Sequence, residues 1–247
     1  MRIRFATCVI AFLCLALGLV PRGIAQETNR DSMEKMTADA IRYLQASQQA
    51  NGAFSAELGP AVTAIVATGL VRNGRTEDDP LVSKAVQYVL SNRRSDGGIY
   101  AEGSKYRNYE TSIAVMLLSE LNKDEKYQDH LQAADRFLKE IQWDEGEGLE
   151  SSDYGFGGAG YGSHKRPDLS NTTFLIEALR ATGNDADSEA IQRALAFVSR
   201  CQNLESEHNT TPFPAKNPDG GFYYTAAAGG SVRRVKPPTE VCEAMRP

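Results

Sequence analysis

Cysteine is scarce in this chain: four in 247 residues, two of them (Cys8 and Cys14) inside an N-terminal segment that reads as a removable signal. The remaining pair, Cys201 and Cys242, is too little for a disulfide-built fold, so a hydrophobic core must hold the domain together. Nothing in their spacing decides between one bridge and two free thiols. Surplus positive charge is missing as well. The 27 basic residues face 32 acidic ones, and Arg2, Arg4 and Arg22 lie in the first 25 positions, where there is no acid. Nucleic acid is thereby excluded as a partner, because its binding rests on neutralising phosphates. Only three histidines (130, 164 and 208) are present, neither Cys201 nor Cys242 stands in a metal-ligand spacing, and no cofactor is implied.

What is present begins with a three-part leader. Basic Met1-Arg2-Ile3-Arg4 precedes an apolar run from Phe5 to Val20, and Gly23-Ile24-Ala25 puts small residues at −3 and −1 of a cleavage site before Gln26. The rival reading is an uncleaved anchor, since the run is marginal for a span of ~20 residues. The small residues favour cleavage, hence residues 1–25 as a signal peptide, export to the periplasm or the outside, and no transmembrane span in the mature chain.

The rest is repetitive. When Ala40, Ala85, Ala134 and Ala194 are aligned, an aromatic residue follows three positions later in each copy (Tyr43, Tyr88, Phe137, Phe197). Five residues further stand Gln48, Arg93, Gln142 and Gln202. A turn comes next: Asn51-Gly52-Ala53-Phe54, Asp96-Gly97-Gly98-Ile99, Asp153-Tyr154-Gly155-Phe156 and Asp219-Gly220-Gly221-Phe222. Five registered positions in four copies are the signature of a repeat architecture.

Segments before the turns (33–49, 82–93, 128–142, 187–202) carry apolar residues at helical spacing, as in Met36, Ala40, Tyr43 and Leu44, and predict amphipathic helices with one buried face. Segments after the turns, 61–67, 111–118 and 171–176, are apolar nearly all round and predict inner helices covered on both sides. Stacked hairpins of this kind give an all-α protein with two layers around one core. The turn's Gly supplies a positive φ, and its last residue (Phe54, Ile99, Phe156, Phe222) is expected to wedge between the two helices. The Gln is expected to reach free amides at the start of the inner helix.

This pattern of small residue, aromatic, Gln and Asp-Gly-Gly-Phe resembles the repeat of squalene and terpene cyclases and of protein prenyltransferase β subunits, over residues 38–230. The resemblance implies an α/α toroid. It does not bring the family's chemistry with it. Squalene cyclases protonate their substrate from an Asp-x-Asp-Asp motif, and the nearest approach here, Thr76-Glu77-Asp78-Asp79, lacks the first acid and reads as a solvated turn. The Asp, Cys and His that hold zinc in prenyltransferases have no matching set, and the Cys-Gly-Glu-Gln element of complement-like thioester domains is missing. The acidic stretch Asp144–Glu150 does not follow a calcium-loop spacing.

Two loops ahead of inner helices mix aromatic, basic and acidic residues: Lys105–Glu110 and Tyr161–Asp168. In a toroid such loops gather at one mouth of the ring, so Tyr106, Arg107, Tyr109, Glu110, Tyr161, His164, Arg166 and Asp168 are the candidate ligand-binding residues. The plainer reading makes Asp168 a helix cap and Glu110 a complement to a helix dipole. A noncatalytic exported domain binding a lipid, glycan or protein is the first functional expectation. An enzyme is the alternative, either a cyclase-like isomerase or a polysaccharide lyase in which Lys, Arg and Tyr act on a uronate.

The fourth turn calls for a further inner helix, and residues 231–247, with Pro237-Pro238 and a terminal Pro, do not supply its pattern. Residues 26–230 are therefore expected to build the repeats and 231–247 an irregular tail. An open, incomplete ring from a truncated or frame-shifted chain follows, with self-association through its apolar edge.

Overall fold

The computed structural model describes residues 22–162, 166–210, 214 and 218–226, and of 22–30 the helical backbone alone. Helices α1 (Arg22–Ser47), α2 (Pro60–Arg72), α3 (Pro80–Ser91), α4 (Arg107–Leu121), α5 (Gln128–Glu140), α6 (Leu169–Ala181) and α7 (Glu189–Cys201) account for the regular structure among these residues. The only extended pairing described is two isolated bridges, Arg93 with Ile99 and Gln202 with Phe222. Helix α1 belongs to one compact unit, Met1–Ser47, and everything from Gln48 onward to a second. No helix among the described residues is long and apolar enough to cross a membrane.

Local chemistry sets the helix ends. Pro60 and Pro80 open α2 and α3, where a missing N–H costs nothing, and the Asp79 and Asp168 carboxylates accept from Leu81 and Asn171 N–H groups as caps. In the second unit α2, α4 and α6 stand side by side as the inner row, and α3, α5 and α7 pack outside them. Val82, Val89, Phe137, Leu138, Phe197, Leu117, Leu175 and Leu179 fill the space between, each buried. The alternation of inner and outer helices is that of an α/α toroid.

Among the described helices, full coverage of an inner helix holds for α4 alone. Its residues from Glu110 to Val115 are all buried, because α2 and α6 flank it. Helix α2 leaves Ile65 51% exposed, and α6 leaves Thr173 and Glu177 exposed. An apolar surface is dry only where a neighbour lies along it, and of these helices α4 alone has a described inner neighbour on each flank. The first outer helix does not show the buried face predicted for it. Met36 is 62% and Tyr43 72% exposed, while Ala85, Ala134 and Ala194, the counterparts of exposed Ala40, are sealed.

The repeat is held together by three shared contacts. A threonine on each inner helix accepts the backbone N–H of the wedge residue: Thr63 from Phe54 at 2.9 Å, Thr111 from Ile99 at 3.0 Å, Thr172 from Ala159 at 2.9 Å. Each turn glycine, Gly52, Gly97 or Gly157, has φ near +90° and lies so close to the next outer helix that a Cβ would collide with the carbonyl of Lys84, Ala133 or Arg193. The glutamines do not reach inner-helix amides. Gln48 Nε2 donates to the Gly52 and Leu81 carbonyls at 3.0 and 2.9 Å, and Gln142 Nε2 to those of Gly157 and Ala190 at 2.8 and 2.9 Å, so each ties its own turn to the next outer helix.

These contacts shift the third turn by three residues. The equivalent of Asp96-Gly97-Gly98-Ile99 is Phe156-Gly157-Gly158-Ala159, not Asp153-Tyr154-Gly155-Phe156. Phe156 is buried, but it lies under the Arg193 guanidinium at 5.8 Å and its carbonyl accepts from Arg200 at 2.9 Å, while Ala159 occupies the wedge position. Phe222 is not a wedge either. It is 54% exposed, since no further inner helix among the described residues closes over it.

Candidate functional site

The two loops singled out in the sequence meet. Asn108 N–H donates to the Tyr161 carbonyl at 3.0 Å, and its side-chain amide donates to the carbonyls of Gly160 (2.9 Å) and Asn171 (3.2 Å). Arg107 Nη2 adds a bond to the Gly162 carbonyl at 2.5 Å. Over this backbone clasp lies an aromatic cluster. Tyr106 stands edge-on to Tyr161 at 5.2 Å between centroids, Tyr109 lies 6.4 Å from Tyr161, and Phe174 meets Tyr109 edge-on at 4.7 Å. The half-exposed Tyr106 and Tyr224 form its outer parts.

The Glu110 carboxyl is bonded away from these rings. Glu110, 3% exposed, accepts from the Ala101 N–H at 2.7 Å and the Ser104 hydroxyl at 2.6 Å, and it packs against Gly59 at the head of α2. Burial raises its pKa above the usual 4.5, and the two hydrogen bonds and the Arg94 charge only partly oppose this. It stands in the first turn of α4, where an acid complements the helix dipole, and it also ties down the loop ahead of its own helix. Asp168 does cap a helix. It is 4% exposed, and its two oxygens accept from the backbone and side-chain amides of Asn171, each at 2.9 Å.

Tyr224 joins these groups from the far end of the chain. Its backbone carbonyl accepts from Leu169 N–H at 2.8 Å, the Arg166 guanidinium sits over its ring at 5.9 Å, and its hydroxyl reaches Asp168 and Tyr161. Burial first, then the Asp168 charge, pushes the phenol up to about 12, so it stays a proton donor throughout the neutral range. His164 lies outside the described residues. Two groups that sequence reasoning missed hold the cluster together. Asn108 was visible as an amide one helical turn before Thr111, ahead of the apolar run of its helix, whereas Tyr224 carries no local signal, because its partners are more than fifty residues away.

The remaining features with a functional look have structural partners. Asp144 caps the turn at Glu145–Glu147 and, with Glu145 and Glu189, binds Arg193. Asp79 pairs with Arg75, and Glu77 bonds Lys126 and the Tyr127 hydroxyl. Cys201 is a free thiol, fully buried and pushed up to about 12 by that burial; Cys242 lies outside the described residues. Asn171 and Asn209, each the first residue of an Asn-Thr-Thr sequence that a glycosylating host could recognise, are 1% and 2% exposed, out of reach of glycosylation in the folded chain. Among the described residues no three His, Cys, Asp or Glu side chains are grouped so as to hold a metal. Open concavities of about 540 Å³, lined by Asp144, Asn184 and Arg193, and about 770 Å³, lined by Ile176, Ile191 and Leu195, lie apart from the aromatic cluster.

A family model described as the squalene-hopene cyclase C-terminal domain matches residues 57–226. No curated protein matches the chain.

Proposed function

Because the chain belongs to the squalene-hopene cyclase C-terminal domain family, we propose that it is a noncatalytic member, an exported binding domain whose ligand mouth is the surface made by the Lys105–Glu110 and Tyr161–Asp168 loops. One observation carries this reading. Both candidate carboxyl groups, Glu110 and Asp168, are buried and hydrogen-bonded within the protein, which leaves rings and guanidinium groups to face a ligand. Aromatic faces with neighbouring cations bind by stacking and charge and do not require a proton-transfer group. Export rests on the basic, apolar and small-residue order of the first 25 positions.

A second reading draws on Glu110. A carboxyl whose pKa burial raises is the kind of group that acid-initiated cyclisation calls for. Incubation of the mature chain with squalene, and separately with a polyuronate, distinguishes the two, with products followed by mass spectrometry and ultraviolet absorbance and binding by lipid overlay and glycan array. Binding without turnover, weakened at least about tenfold by Tyr106→Ala with Arg166→Ala, is the expected result. A cyclised or eliminated product that disappears in Glu110→Gln would reverse the assignment.

A further inference from the structure

The joint between successive repeats occurs three times and always has two halves. One half is the turn, with its glycine at positive φ and, at the first and third joints, the glutamine that holds it. The other is the first half of the next outer helix, which offers a carbonyl to the glutamine and a bare backbone to the glycine. At the first joint Gly52 faces the Lys84 carbonyl and Gln48 bonds the Leu81 carbonyl. At the third, Gly157 faces Arg193 and Gln142 bonds Ala190. The glutamine's acceptor lies three residues before the carbonyl that the glycine meets.

One half of each kind is left over. The fourth turn has all the donor features: Gly220 at φ +72°, and Gln202 Nε2 on the Gly220 carbonyl at 3.3 Å. Among the described residues the space around it is open: a Cβ on Gly220 would find nothing nearer than a Leu204 methyl at 3.9 Å, and Phe222 is 54% exposed. No outer helix among the described residues stands where α3, α5 and α7 stand for the earlier turns. Helix α1 is the complementary remainder. In register, Met36 stands where Leu81 and Ala190 do, Asp39 where Lys84, Ala133 and Arg193 do, and Ala40 where three sealed alanines do. Met36, Ala40 and Tyr43 are all exposed.

We propose that these halves join between molecules: the Gly220–Phe222 turn of one copy seats on the Met36–Ala40–Tyr43 face of α1 in a second copy of this chain, head to tail. The occupant follows from continuity with an interface that the chain already builds three times. In the joint Gly220 approaches the Asp39 carbonyl, Gln202 Nε2 finds the Met36 carbonyl, and the exposed rings of Phe222 and Tyr43 leave water together. Because the two surfaces differ, the contact is heterologous and each added copy presents a fresh end.

Sedimentation velocity on the mature chain tests this. The wild type should associate progressively with concentration, beyond a dimer. Tyr43→Asp and Phe222→Asp should each weaken association at least about tenfold while leaving circular dichroism and the urea midpoint unchanged, since both side chains are exposed within one copy. An equimolar mixture of the two variants keeps one intact face and one intact turn, so it should form a heterodimer that grows no further. Tyr43→Ser and Phe222→Ser serve if either aspartate variant fails to fold. A wild type that stays monomeric at all concentrations, single variants that associate as well as the wild type, or a mixture that yields no heterodimer would each overturn the joint.

Discussion

Glu110 shows how a residue that looks functional in sequence becomes structural in three dimensions. Its carboxyl closes the Ala101–Ser104 loop and fills the space beside Gly59, and burial raises its pKa above 4.5. A raised carboxyl pKa means that folding favours the protonated form. The stabilisation is present in full below the unfolded-state value and is lost as pH rises through the folded-state value. Glu110→Gln cannot titrate. The stability of the wild type relative to this variant should therefore fall as pH rises above the ordinary carboxyl value of 4.5, measured by urea unfolding at each pH. Parallel curves for the two proteins would show that the carboxyl is solvated in the folded state.

At the scale of the elements, the joints between repeats depend on backbone approach more than on side chains. Gly157 and Gly183 both have positive φ, +84° and +98°, but a Cβ on Gly157 would collide with the Arg193 carbonyl while a Cβ on Gly183 would meet nothing within 4 Å. Gly183→Ala should cost only the backbone strain, about 1–2 kcal/mol. Gly157→Ala adds a collision that only separation of the turn from α7 relieves, so its loss should be about 3 kcal/mol or more. Equal shifts in the urea midpoints would mean that the close approach contributes nothing. This joint also explains what was legible. The repeat register at Ala85, Ala134 and Ala194 was readable because each alanine is sealed beneath a turn, and the inner helices because their apolar runs stand out. The third turn was misplaced because Asp153–Phe156 begins with an acid and ends with an aromatic as other turns do, although Tyr154 stands where the positive-φ glycine belongs and Gly157 fills that place. The loops' meeting followed from the toroid that the resemblance implied, whereas the inward aim of Glu110 was not legible, because it depends on Ser104 and Gly59 reaching it from other segments.

Across the second unit, stability should follow position in the row. A repeat protein is held together by contacts between neighbours, so an element with a neighbour on each side opens only when both joints open, whereas an end element needs to break one. Helix α4 lies between α2 and α6 and buries Ile113, Ala114, Val115, Leu117 and Leu118. Helix α2 carries the exposed Ile65 and an uncovered Gly69, and α6 carries the exposed Thr173 and Glu177. Hydrogen exchange under native conditions should accordingly rank α4 as the slowest inner helix, its amides opening only with global unfolding, while α2 and α6 exchange through smaller openings at lower free energy. Leu117→Ala, at a site with no exposure, should cost about 2–5 kcal/mol and accelerate exchange in all three inner helices together. Ile65→Ala, already half in water, should cost about 1 kcal/mol or less and leave α4 protection nearly unchanged. If α2, α4 and α6 exchange at one common free energy in the wild type, the unit unfolds as a single block and the neighbour-by-neighbour account of its stability fails.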